Sequence, residues 1–332
     1  MASREEARGK GEPDEFRADS GVDSYRSLAA VCRSGAEPAA DGAAEERHDS
    51  AYGSASLSVE SLGDILKTCA VPAQRDGQEA EPDLAAVTDD GDTTLHLAII
   101  HEDEGLADAL IRLFPKELLD IQNDLYQTPL HLATYLNLSS LVRSLVQHGA
   151  NLAMQDQDGN TPLHVACEHG RAECVSELTH NIPPTQLAPV LEAQNWKGVT
   201  CLHLATMHQR HRLMKLLIKK GADLNIQEGT SGKTPLHMAV ELHDVTGARL
   251  LLAKGANVDV TMFNGCTPLH LAVGRQDTAI ADLLCQSGAD KMIRNIEDET
   301  ALDLADGNDD ILALFPFDDI QISGRSVLGV QF

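Results

Sequence analysis

TPLHLA at residues 128–133 decides the fold, because the chain repeats it. Copies read TTLHLA at 93–98, TPLHVA at 161–166, TCLHLA at 200–205, TPLHMA at 234–239 and TPLHLA at 267–272, with a decayed TALDLA at 300–305. Successive copies start 35, 33, 39, 34, 33 and 33 residues apart. Thr128 suits a helix N-cap, and Pro129 suits the first turn, where its missing N–H is not needed. Leu130 and Ala133 fall on one helical face, and the small Ala lets a neighbouring helix come close. A second helix is predicted after each copy, as in SSLVRSLVQ at 139–147. Gly149, Gly221, Gly255 and Gly288 are placed to end these second helices in the left-handed conformation. Polar turns such as QDQDGN at 155–160 lead into the next copy, with Gly159 suited to positive φ.

A period near 33 carrying T-P-L-H-x-A is the signature of the ankyrin repeat. It predicts an all-α solenoid of six full repeats, about 88–296, and a degenerate seventh to about 316. One repeat cannot bury its apolar face alone, so stacked neighbours make one continuous core. The composition agrees: 42% hydrophobic residues suffice for a core, and 3% aromatics mean that it is built from Leu, Ala, Val and Ile. Asp303 stands where the motif has His, a polar cap for the last repeat. The 39-residue spacing marks an insertion near NIPPTQLAPV (181–190), expected as a loop on one face. The organisation read from this is a signal-response region at 1–87, disordered by composition, an ankyrin domain at 88–316 and a short tail at 317–332.

The net charge is −25. Residues 297–332 alone carry nine acidic and one basic side chain. Such a chain is unsuited to direct nucleic-acid binding, which needs Lys and Arg on phosphates, and suited to a basic partner that its field would attract. The seven cysteines form no C-x-x-C pair, and no stretch approaches the roughly 20 apolar residues of a membrane span. The first residues, MASREEARGK, have no apolar core, so a reducing, intracellular setting with free thiols is expected.

Six of the 14 histidines sit in the motif: His96, His131, His164, His203, His237 and His270. Spaced a repeat apart, they are expected to form a ladder held by local backbone hydrogen bonds rather than a metal or catalytic site. His208 and His211 are too few for zinc, and Cys167, His169 and Cys174 lack a second pair. No phosphate loop, nucleophile elbow or carboxylate dyad is present. The reading is a non-enzymatic protein with no metal and no cofactor.

Outside the repeats, DSGVDS (19–24) places two serines four apart, each preceded by an acidic residue, with Gly21 between them. Paired phosphorylation would add roughly −1.5 to −2 charge at each serine and create a docking motif for an Arg-lined pocket. This segment resembles the D-S-G-x-x-S phosphodegron of the IκB family, the inhibitors of NF-κB. GDTTLHLAIIHED (91–103), NDLYQTPLHLA (123–133), NGCTPLHLAVGR (264–275) and FPFDDIQISG (315–324) resemble that family too. The resemblance covers residues 16–28 and about 88–324.

The resemblance implies phosphorylation of Ser20 and Ser24 by IκB kinase. It also implies recognition of Asp19, Ser20, Gly21 and Ser24 by a β-TrCP ubiquitin ligase, and ubiquitin transfer to Lys10. It implies an inhibitor that binds Rel-family NF-κB dimers, RelA and c-Rel foremost, and retains them in the cytoplasm, with nuclear shuttling left open. The acidic end, Glu297, Asp298, Glu299, Asp318 and Asp319, would oppose the partner's DNA-binding surface, or else simply solubilise the last repeat. Asp89, Asp90, Asp92, Glu102, Asp103, Glu104 and Asp108 would face its localisation segment, or else form a solvated edge. DSAYGS (49–54) keeps the serine spacing without the glycine. Val59, Leu62, Ile65 and Leu66 suit either an export signal or an amphipathic lead-in to repeat one. A nuclear ankyrin coactivator of Rel dimers and a generic ankyrin scaffold are the alternatives.

Overall fold

The computed structural model describes residues 87–315. The paired-serine motif, Lys10, DSAYGS, the segment carrying Val59, Leu62, Ile65 and Leu66, and the tail at 317–332 lie outside the described residues. Each motif copy opens a short first helix: α1 (Thr94–Ile100), α4 (Pro129–Tyr135), α6 (Pro162–His169), α9 (Cys201–Met207), α11 (Pro235–Glu241) and α13 (Pro268–Gly274). A second helix answers each: α2 (Glu104–Leu113), α5 (Ser139–Gln147), α7 (Ala172–Leu178), α10 (His211–Lys219), α12 (Val245–Ala253) and α14 (Thr278–Gln286). Repeat one adds a turn of helix, α3 (Lys116–Leu119).

Two columns follow. First helices pack in order, α1 on α4, α4 on α6, α6 on α9, α9 on α11 and α11 on α13. Second helices pack in the same order beside them. Between the columns lies one core in which the motif Leu and Ala are essentially inaccessible, Leu130 and Ala133 at 0%. Burying a Leu side chain in this way contributes roughly 1.5–3 kcal/mol. No helix in the stack exceeds ten residues. Such helices are marginal alone and persist through packing. Gly149, Gly221, Gly255 and Gly288 follow the second helices with φ between 87° and 99°, the left-handed stop that the sequence predicts.

The insertion of repeat three is a helix, not the expected loop. Pro183 and Pro184 open α8 (Pro184–Glu192), and Leu187, Val190 and Leu191 are buried. Apolar residues at 187, 190 and 191 have helical spacing, and the paired prolines supply a pre-set first turn. In repeat seven the first helix shrinks to a 3-10 turn, Ala301–Leu304, followed by α15 (Asp309–Leu312).

Candidate partner-binding surface

The motif threonine and histidine build the element that positions everything else. At repeat two, the Thr128 N–H donates to His131 Nδ1 (3.1 Å), and the Thr128 hydroxyl lies 2.9 Å from the same nitrogen. The ring's other nitrogen, Nε2, donates to the carbonyl of Asn160 in repeat three (3.0 Å). The arrangement recurs at His96 with Gln127, His164 with Val199, His203 with Lys233, His237 with Cys266 and His270 with Glu299, at 3.1–3.3 Å. One nitrogen faces an N–H and must accept, and the other faces a carbonyl and must donate. The hydrogen-bond network therefore fixes the neutral ring with its proton on Nε2. Burial depresses the pKa of His131, His164, His203 and His237 to about 4, against the raising effect of the carbonyl contact.

The local half of this ladder is the one expected, but the bond to the next repeat is not. Its acceptor is always the residue just before the next motif threonine. That register is visible in sequence, but the acceptor's identity is free because only its carbonyl is used.

The ladder carries a row of turns, or fingers, between repeats. In the finger of repeat three the Asp156 N–H donates to the Asn160 carbonyl (2.9 Å), while the Asp158 N–H donates to Asp156 Oδ1 (2.9 Å). Gly159 turns the chain at φ 76°. Adjacent fingers are joined by the N–H of Asp124 to Asp90, Gln157 to Leu125, Trp196 to Asp158, Phe263 to Ser231 and Ile296 to Asn264, at 3.0–3.1 Å. A glutamine ladder runs alongside: Gln122, Gln155, Gln194 and Gln227 each donate from Nε2 to a carbonyl of the following repeat. The recurrence of Gln six or seven residues before the motif threonine is the signal that sequence reading missed.

On this backbone the fingers present exposed apolar side chains, with Tyr126, Trp196, Phe263 and Ile296 each 60–69% accessible. Trp196, Phe263 and Ile296 stand four residues before their motif threonines. These four side chains make the row of fingers the candidate contact surface.

The predicted acidic residues divide. Glu297, Asp298 and Glu299 are brought together on the last finger. Asp298 turns the chain at φ 61° and sits 3.4 Å from Arg294. The Glu299 carbonyl is the acceptor for His270 (3.2 Å), so this residue also holds the stack. Asp318 and Asp319 lie outside the described residues, and nothing places them beside the other three.

Among the N-terminal acids, Asp89, Asp90 and Glu102 are exposed. Asp103 instead caps α2 through the Leu106 N–H (2.9 Å). Asp92 accepts from Asn123 Nδ2 (2.9 Å), Glu104 from the Ser140 hydroxyl (2.6 Å) and Asp108 from the Ser144 hydroxyl (2.7 Å). Four of the seven therefore do structural work.

Comparison with known proteins bears on this surface. A family profile described as "Ankyrin repeats (3 copies)" matches residues 95–188 and 186–262, and "Ankyrin repeats (many copies)" matches 251–305. The human NF-kappa-B inhibitor epsilon is 43% identical over 368 aligned positions, covering 98% of this chain and 72% of that protein. The human NF-kappa-B inhibitor alpha is 40% identical over 187 positions, 55% of this chain and 59% of that one. The crystal structure of the ankyrin repeat domain of Bcl-3, titled a unique member of the IkappaB protein family, superposes with a TM-score of 0.64. It is 39% identical and covers 68% of this chain and 99% of that one.

The chain belongs to the IκB family of ankyrin-repeat proteins.

IκB-family ankyrin proteins are non-enzymatic, so the chemistry of this IκB-family surface is recognition. Among the described residues no helix is long and apolar enough to cross a membrane, and no group of three His, Cys, Asp or Glu is placed to hold a metal ion. The frame presents a hydrogen-bonded row of fingers, apolar at repeats two, four, six and seven and acidic at repeats one and seven.

Proposed function

We propose that this IκB-family protein binds Rel-family NF-κB dimers, RelA and c-Rel foremost, holds them in the cytoplasm and blocks their DNA binding until it is destroyed on signal. The observation that carries the reading is the conjunction, in one chain, of an IκB-family stack and the DSGVDS motif at 19–24. The fingers support it with a long apolar and acidic surface, of the kind that buries about 2,000 Å² or more in signalling assemblies. Glu297, Asp298 and Glu299, and with them Asp318 and Asp319 of the acidic tail sequence, would compete electrostatically with DNA phosphates for the partner's basic surface. Exposed Asp89, Asp90 and Glu102 would meet its basic localisation segment.

IκB kinase would phosphorylate Ser20 and Ser24 within Asp19–Ser24, a β-TrCP ligase would bind the product, and Lys10 would accept ubiquitin. These groups lie more than 60 residues before the first repeat. Phosphorylation therefore acts by marking the complex, not by loosening its grip.

The test is binding of the full chain to purified RelA and c-Rel dimers, with labelled κB-site DNA in competition. Displacement of the DNA is the expected result. Binding that leaves DNA attached would indicate a nuclear coactivator, and no binding would indicate an ankyrin scaffold for another partner. In cells, Ser20→Ala with Ser24→Ala should leave a protein that survives stimulation, and loss at the wild-type rate would overturn the degron assignment.

A further inference from the structure

Between Glu192 and Asp223 a chain of net charge −25 has no acidic residue and six basic ones. The fold sorts the six. Arg210 donates to the Glu168 carbonyl (3.0 Å) and Lys220 to the Thr179 carbonyl (2.7 Å), both tying repeat four back to repeat three. Lys197 is exposed on a finger. Arg212, Lys215 and Lys219 are exposed on α10 at i, i+3 and i+7, which places them on one helical face.

The neighbouring helix continues the patch. Arg249 of α12 follows Lys215 by 34 residues, the spacing of repeats four and five, so it holds the same register on a helix that packs against α10. Arg249 and Lys254 are exposed too. Among the described residues none of these five cations forms an ion pair, whereas Arg112, Arg143, Lys233 and Arg275 do. The patch also has edges. Glu173 of α7 stands 39 residues before Arg212, and Asp282 of α14 stands 33 after Arg249, each in the corresponding position of the next repeat outward.

We propose that this face of α10 and α12 docks a short acidic segment of a partner protein. Seven residues of helix rise about 10 Å, and packed helices sit about 8–10 Å apart. The patch therefore matches roughly three to five extended residues at about 3.3 Å each. A nucleic-acid duplex or a membrane would overrun it and meet Glu173, Asp282 and the chain's negative field within the Debye length of about 8 Å. A short acidic segment would not. Exposed pairs of this kind contribute roughly 0.2–1 kcal/mol each. The docking is accordingly weak alone and strengthens a contact made elsewhere. It uses the second helices rather than the fingers, and it holds whether or not the partner bound there is a Rel dimer.

The test titrates fluorescein-labelled hexaglutamate with the full chain, read by anisotropy at low and at physiological ionic strength. Binding at low salt is expected, about tenfold weaker in Arg212→Glu with Lys215→Glu. The double reversal Lys116→Glu with Lys197→Glu makes the same change in net charge and should stay within about twofold of wild type. Thermal unfolding checks that both variants fold. Equal losses in the two variants would overturn the proposal, leaving net charge alone as the cause. So would absence of binding at low salt. So would a 12-base-pair duplex or phosphatidylserine vesicles binding as tightly as the peptide and being lost with the same reversal, which would make the face a general anion surface.

Discussion

In repeat two, His131 closes the first turn around Thr128 and spans to the Asn160 carbonyl of repeat three. In repeat seven, Asp303 closes the same turn around Thr300, with Oδ2 accepting from the Thr300 N–H at 2.9 Å and its hydroxyl at 3.0 Å. The pair separates two roles of the motif histidine. Closing the turn needs any acceptor at that position. Bridging to the next repeat needs a ring long enough to accept at one end and donate at the other. At Asp303 the chain keeps the acceptor and drops the ring.

Acidification should break this difference open most widely. His131, His164, His203 and His237 have pKa values near 4 when folded, against an ordinary value of 6.5. The unfolded chain therefore binds more protons between those values. Stability is fully present above pH 6.5 and falls as pH drops toward 4, by a total on the order of several kcal/mol. Urea midpoints at pH 7.5, 6 and 5 should decline steeply, and a flat series would contradict the buried neutral ladder.

Single substitutions sharpen it. His164→Ala, in the middle of the stack, empties a fully buried site and strands partners in two repeats, an expected loss of roughly 2–4 kcal/mol. Asp303→Ala removes the turn closure around Thr300, at about 1 kcal/mol. Denaturant titration of the two variants would show equal losses if bridging contributed nothing.

The smallest effects distinguish the fingers from the helix ends. At Gly159 an added Cβ would lie 2.7 Å from Trp196 of the next finger, on top of φ 76°, whereas at Gly255 it meets nothing within 4 Å. Gly255→Ala should cost about 1 kcal/mol, from left-handed strain alone. Gly159→Ala should cost more than that, with loss of the Trp196 environment visible in its fluorescence.

The repeats were legible because their determinants are local. Thr, Pro, Leu and His at fixed offsets specify a capped helix, and recurrence specifies the stack. α8 was not legible as a helix because its paired prolines look like a loop until the spacing of Leu187, Val190 and Leu191 is weighed. The cross-repeat bonds escaped because their acceptors are bare carbonyls. Asp103 and Asp108 looked like a charged edge because a sequence does not distinguish a carboxylate facing water from one capping a helix or accepting from the hydroxyl of Ser144. Glu299, expected from sequence at the partner surface, also serves the stack through its carbonyl.

The imidazole bond has a direction. Each ring that closes a repeat's first turn is steadied by a carbonyl belonging to the repeat after it. Dependence in the column therefore runs one way. Removing the first repeat disturbs no other repeat's ring, whereas removing the last loosens the cap of the one before. A chain is made from its N-terminus, so every repeat emerges into solution ahead of the atom that locks its histidine, and each waits for the next 30 or so residues before its own first turn is fully held.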